Sequence, residues 1–216
     1  MDTMKRIVNC LKPALTSTLV LMLICGLGFP LLLTGLSALI FPARASGSLV
    51  MADGKAVGAE YVGQEFTKPY FLKGRPSAVH YNTYFEDENG NQTYADGSEF
   101  GGVASGSQNL GPSNPALQER VEADMEAFLA ANPEIRREDI PTDLLTASGS
   151  GLDPHISPAS AQVQLPAVAE ASGLSMEQLQ QMVENNTTGK LLGLFGEETV
   201  NVLGVNLEIA QAMGLI

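Results

Sequence analysis

Residues 13–43 contain no Asp, Glu, Lys, Arg or His and include the run LTSTLVLMLICGLGFPLLLTGLSALIF (15–41). A bilayer core of about 30 Å needs about 20 apolar residues at the helical rise, and this run exceeds that with room for tilt. No later window is both as long and as apolar, so residues 44–216 are expected together on one side of a membrane. Lys5, Arg6 and Lys12 precede the run with Asp2 as the one acid, whereas Arg44 and Lys55 are the basic residues of the stretch that follows. That asymmetry predicts a cytoplasmic N-terminus (1–12), a transmembrane helix (13–43) and an extracytoplasmic domain (44–216). Ala43, Arg44 and Ala45 form an A-x-A pattern, the mark of a cleaved signal, but a signal's apolar core is only about 7–15 residues. An uncut anchor fits the length better, and either way the domain is exported. Pro30 lacks an N–H and should kink the helix, while Gly26, Gly28 and Gly35 allow another helix to approach in lipid.

The exported part is long enough for one compact domain with its own core. Both cysteines, Cys10 and Cys25, fall in or beside the apolar run, so no disulfide can staple that domain. Of twelve basic and twenty-four acidic residues, three and one precede residue 13, which leaves nine against twenty-three and a net charge of −14. Nucleic acid is thereby a poor partner; solubility or a salty medium explains the acidity, and a nearby cation would be modestly concentrated.

Residues 46–78 alternate apolar residues with Gly and Pro and read as short strands broken by turns. The aromatics, which cluster between Tyr61 and Phe100, point to strand structure in this half. Residues 83–102 are polar and acidic, with Asn89–Gly90 and Asp96–Gly97 as hairpin-turn signals, and form an exposed hairpin or loop. DENGN (87–91) lacks the spacing and terminal Glu of an EF-hand. Asn114 as cap and Pro115 at the first position begin a helix that Asn132 and Pro133 stop, with Glu119, Glu122 and Glu126 on its solvated face. Ser157 caps a second helix running to Gly173, which Pro166 should bend or split. Ser175 and Gln178 form a capping box for a third, to about Asn186, with Leu179, Met182 and Val183 inward. After an apolar connection and a turn at Gly196, residues 200–213 are expected as a terminal helix closing the core. The fold class is α+β: one N-terminal transmembrane helix followed by a single mixed α/β domain.

TASGSGLDPHISP (146–158) is the densest cluster of chemically capable side chains, with Ser148, Ser150, Asp153 and His155. It is not a G-x-S-x-G nucleophile elbow, and Asp and His two apart are seldom placed for a triad; a membrane-anchored hydrolase or binding module is kept as the alternative function. His80 and His155 are the only histidines, so no metal site is expected. A structural use of the loop is concrete: Gly149 and Gly151 permit positive φ, and Asp153 and Ser157 can accept backbone amides ahead of a helix. A second Gly/Ser loop, 104–115, also precedes a helix. Free amides at two helix starts attract anions, yet neither loop matches a Walker pattern, and the predicted topology puts both outside the cell.

GSLV (47–50), GQEF (63–66), KPYFLKGRPSA (68–78), Tyr81–Asn82, SQNLGPSNPAL (107–117), PTDLLTASGSGLDPHISP (141–158) and GEETVNVLGVNLEIA (196–210) carry a resemblance across nearly the whole chain. The sequence resembles the C subunit of the Kdp-type potassium-transporting P-type ATPase of bacteria and archaea. It departs from that family at residues 83–102, an apparent insertion, and at Ala167 and Ser172, where arginines are common. The resemblance implies a noncatalytic single-span subunit of the plasma (inner) membrane. Its partners would be a potassium-channel-like subunit, a P-type ATPase subunit and a small one-helix subunit, which handle ATP and potassium. It also implies a catalytic chaperone raising ATP affinity, linked in the family to a Ser/Gly/Gln element like Ser105, Gly106 and Gln108. A domain outside the membrane can act on nucleotide affinity only through a conformational equilibrium. No cofactor is expected to bind directly. Partner-contact candidates are Tyr70, Phe71, Arg75, Asn109, Asn114, Ser148, Ser150, Asp153 and His155.

Overall fold

The structure, a computed structural model, describes the backbone of residues 2–95 and 97–216 and side chains from Asn9 onward. The side chains of Lys5 and Arg6, on which the orientation reading partly rests, and the whole of Asp96 of the Asp96–Gly97 pair lie outside what is described. The chain divides into two units, Met1–Leu49 and Val50–Ile216.

The first unit is helical: α1 (Asp2–Leu21), a π-helical stretch (Met22–Gly28), α2 (Phe29–Ile40) and α3 (Pro42–Ala45). Asn9–Ile40 is long and apolar enough to cross a membrane. The π stretch ends just before Pro30, with the Phe29 N–H donating to the Ile24 carbonyl five residues back. Widening the turn accommodates a residue that cannot donate and whose ring would strike the carbonyl four residues earlier. Thr16 and Thr18 turn their hydroxyls onto the Lys12 and Ala14 carbonyls, both at 2.9 Å.

The second unit mixes strands and helices. After the paired strands β1 (Leu49–Ala52) and β2 (Lys55–Ala59), residues 60–78 contain no regular strand. The aromatic-rich half is therefore poorer in strand than expected. The path of residues 60–78 is set in part by side-chain bonds to Leu72 and Lys73 rather than by a ladder. Residues 83–102 do form a hairpin, β3 (Phe85–Glu86) with β4 (Gln92–Thr93), antiparallel. Asp87 accepts the Asn89 and Asn91 amides at its tip.

Helix α4 (Pro115–Ala131) starts where Asn114 accepts the Ala116 N–H, and Glu119, Glu122 and Glu126 are exposed as anticipated. Strand β5 (His155–Ile156) leads into α5 (Pro158–Ser172), capped by Ser157 and closed by left-handed Gly173. Pro166 does not split α5; the carbonyl it frees belongs to Gln162, an exposed residue that water can reach. The capping box forms at Ser175 and Gln178 and opens α6 (Met176–Asn185). Strands β6 (Thr187–Thr188) and β7 (Thr199–Asn201) precede α7 (Val202–Ala212). The terminal helix is thus shorter than expected, because residues 199–201 form the middle strand of an antiparallel sheet in the order β5-β7-β6. Asn201 then turns strand into helix by accepting the Gly204 N–H.

The main core packs Leu165 and Val168 of α5, Leu179 and Val183 of α6 and Val205 and Ile209 of α7 against Ile156 and Val200 of the sheet. Leu72, from the strandless segment, is fully buried in the same cluster. A smaller cluster, Ile140, Leu144 and Leu145, joins α4 to α5 through Met125, Phe128 and Val163.

Candidate functional site

The segment around Leu72 reaches the core because two buried amides imitate a neighbouring strand. Asn206 of α7 accepts the Leu72 N–H at 2.8 Å and donates to the Leu72 carbonyl at 2.9 Å. Gln164 of α5 accepts the Lys73 N–H at 2.9 Å and donates to the Lys73 and Ser160 carbonyls. These bonds replace a ladder and satisfy backbone groups that burial would otherwise leave orphaned.

Arg75 follows directly and joins the segment to the loop 146–155. Its Nη1 donates to Asp153 Oδ2 at 3.1 Å and its Nη2 to the Thr146 carbonyl at 3.3 Å. Its Nε is buried without a hydrogen-bond partner among the described residues. Asp153 also accepts the His155 backbone N–H at 3.0 Å, and His155 Nδ1 lies 3.6 Å from Asp153 Oδ1. The His155 side chain, its amide and Arg75 together outweigh partial burial and hold the Asp153 carboxyl below its ordinary value. Stability from this lowering is present above the unfolded value, about pH 4, and is lost as pH falls through the lower folded value. The gap in urea midpoint between the wild-type full chain in detergent and Asp153→Asn should therefore narrow from pH 6 to pH 3. A gap constant across that window would remove the carboxylate from the account.

Tyr81 closes the same network by donating its hydroxyl to the Arg75 carbonyl at 2.7 Å. Burial, with Asp153 adding to it, pushes the phenol up to about 12, so it stays a neutral donor. His80, Tyr81 and Asn82 are consecutively left-handed, at φ 48°, 51° and 55°. Such residues cost about 1–2 kcal/mol each, and local bonds hold them in place. Ser77 Oγ accepts the Val79 and Tyr81 amides, while the Asn82 amide pairs with both backbone groups of Ala104. The acidic hairpin packs on this turn through Tyr94 against His80, and within the hairpin segment Tyr84 stacks on Phe100.

The two Gly/Ser loops meet each other. The Gly106 N–H and Ser105 Oγ both donate to the Ser150 carbonyl, at 2.8 and 3.0 Å. Gly106 thus spends its amide on protein. Gly151, at φ 68°, lies so near the Gly106 carbonyl that a Cβ there would stand 2.9 Å away; Gly149, expected to share this conformation, is not left-handed. Ser148 is buried and its Oγ accepts the Gly151 N–H, and Ser150 Oγ accepts the Leu152 N–H. Both hydroxyls are occupied as turn acceptors.

Of the residues singled out from sequence, Arg75, Ser148, Ser150, Asp153 and His155 therefore converge, with Ser105 and Gly106 beside them. Asn114 is a helix cap, Asn109 is exposed at φ 51°, and Gln108 is exposed. Phe71 packs on the core edge-on to Phe66, and Tyr70 is half-buried against Phe71. A groove of about 720 Å³ opens beside the cluster, walled by Phe66, Phe71, Lys73, Arg75, Tyr81 and Phe128. Sequence reasoning passed over Asp143, whose carboxylate accepts the Ser157 amide and the Ser157 and Ser160 hydroxyls at the start of α5. Burial opposes its charge, but those donors prevail and lower its carboxyl. Sequence offered no signal for it, because Asp143 lies fourteen residues before the capping Ser157 and capping signals act within about three.

The family model described as the K+-transporting ATPase, c chain, KdpC, matches residues 11–211. A Potassium-transporting ATPase KdpC subunit of Clostridium kluyveri is 58% identical over 204 residues, 94% of each chain. Its counterpart in Clostridioides difficile is 54% identical over 211 residues, 95% of this chain and 99% of that one. The one in Caldanaerobacter subterraneus is 42% identical over 201 residues, 93% of this chain and 94% of its own.

Proposed function

From the membership of this chain in the KdpC family, the c chain of the K+-transporting ATPase, we propose that it assembles and stabilises that ATPase without catalysing a reaction of its own. In this reading the N-terminal helix anchors it in the plasma membrane with the N-terminus in the cytoplasm. The domain lies outside, over the external mouth of the potassium pathway. Its partners are a potassium-channel-like subunit, a P-type ATPase subunit and a small one-helix subunit, and they handle potassium and ATP.

The observation that carries the proposal is the tie of Arg75 to Asp153 and Thr146. With Gly63 and Tyr81 it fixes segments from four parts of the chain into one polar surface. Such preorganisation suits a surface that must meet a partner without being ordered by it. A role in raising ATP affinity belongs to the same reading only as coupling: the domain would contact two states of the pump unequally. Direct nucleotide contact is disfavoured at Gly106, whose amide already donates to Ser150.

The test is purification of the tagged chain with its co-expressed partners in mild detergent, with potassium-stimulated ATPase assayed with and without it. The partner chains should copurify and activity should fall when it is omitted. His155→Ala should lower assembly more than it lowers the urea midpoint of the chain alone; equal losses would return His155 to a structural role. A chain that elutes alone, from a pump that works without it, would sink the proposal.

A further inference from the structure

The connection from β6 to β7 ends in an apolar tip. Leu191, Leu192, Leu194 and Phe195 are 69%, 82%, 80% and 63% exposed, four large apolar side chains within five positions. The tip is nevertheless ordered. The Leu191 and Phe195 backbones exchange hydrogen bonds at 2.8 and 3.0 Å, the Leu194 N–H donates to the Leu191 carbonyl, and Lys190 pairs with Glu197 at 3.3 Å beneath. Leu192 and Gly193 occupy the two central turn positions at φ 55° and 72°. That turn favours Asn-Gly, Asp-Gly or Gly-Gly. A branched side chain at position 192 is poor turn chemistry and poor surface chemistry at once, so turn formation does not account for it.

We infer that the tip Leu191–Phe195 is a preformed knob that seats in an apolar socket on a membrane-embedded protein subunit of the same ATPase, an inference resting on the assembly reading above. A rigid turn presenting large apolar side chains has the character of an interface anchor, and its order limits the entropy lost on docking. A protein socket is favoured over a lipid surface by charge. The chain beyond residue 12 carries −14, and Glu197 and Glu198 follow the tip immediately, so an anionic headgroup surface on either side of a membrane would repel it.

The test separates the side chain's use from the turn's. In the full chain co-expressed with the other ATPase chains, Leu192→Asn should leave the urea midpoint of the chain alone unchanged or raise it, because Asn suits the turn. Combined with Leu194→Ser, it should cut the copurified partner chains about tenfold or more. A photo-crosslinking amino acid in place of Leu194 should attach to one other ATPase subunit. Crosslinks to lipid alone, no crosslink, or full assembly by the double variant while the wild type assembles would overturn the knob and leave the assembly reading standing. Failure of the wild type itself to copurify would overturn both.

Discussion

Asn206→Leu is expected to be among the most destabilising single changes in the domain, although it replaces a polar residue by an apolar one of similar size inside an apolar core. Asn206 is 1% exposed, and both of its hydrogen bonds go to Leu72, itself fully buried. Removing the amide orphans a backbone donor and a backbone acceptor where water cannot follow. At about 1–3 kcal/mol for each such group, the loss is about 2–6 kcal/mol. Against a total of about 5–15 kcal/mol, that is a large share of the domain's stability. Gln164→Leu supplies the contrast. It removes the same pair of bonds from the next residue, but Lys73 is exposed and its backbone can rehydrate. Urea midpoints of the full chain in detergent should fall clearly further for Asn206→Leu than for Gln164→Leu, and the opposite order would refute the mock-strand account of this segment.

The same pair of residues explains why part of the fold was legible in the sequence and part was not. Helix boundaries were readable because their signals are local. Asn114, Ser157, Ser175 and Gly173 each satisfy groups within three or four residues of themselves, and all four act as read. The path of residues 60–78 was not readable, because Asn206 lies 134 residues from the backbone it supports. Nothing in the spacing of a helical Asn distinguishes that use from an exposed one. Strand β7 was missed for a related reason. Residues 199–201 are too few to show alternation, and apolar residues continue straight into α7, so strand and helix merge into one run.

The candidate site divides the same way. Arg75, Asp153 and His155 were legible as unusual polar residues in rigid loops. Their meeting was not, since Arg75 and Asp153 are 78 positions apart. The left-handed turn at 80–82 was hidden further, because its central residue, Tyr81, is not a type enriched at such φ values, although His80 and Asn82 on either side are. Tyr81 is held there by the company it keeps, the Ser77 hydroxyl and the Arg75 carbonyl.

Gly63→Ala is expected to disturb that meeting more than its single methyl suggests. Gly63 is buried, and its N–H donates to the Leu152 carbonyl at 2.8 Å. A Cβ there would stand 2.5 Å from the Asp153 carbonyl oxygen, 2.6 Å from Tyr81 Cε1 and 2.9 Å from the Asp153 carbonyl carbon. The Tyr81 ring is held by its bond to Arg75, and Asp153 presents backbone rather than a side chain that could swing aside. The segments must separate, and the Arg75–Asp153 contact shifts with them. Overpacking of this kind costs about 1–3 kcal/mol and sometimes more; with backbone on one side the upper end is expected. Gly58→Ala is the control, because its nearest atoms, Leu203 Cδ2 at 2.8 Å and Gln64 Oε1 at 3.0 Å, are ends of flexible side chains. Its loss should stay below about 1 kcal/mol. If the polar surface is what the ATPase grips, Gly63→Ala should also lose its partners in mild detergent at urea concentrations where the variant is still folded. Equal losses for the two glycines, or undiminished assembly of a destabilised Gly63→Ala chain, would detach the surface from the partner.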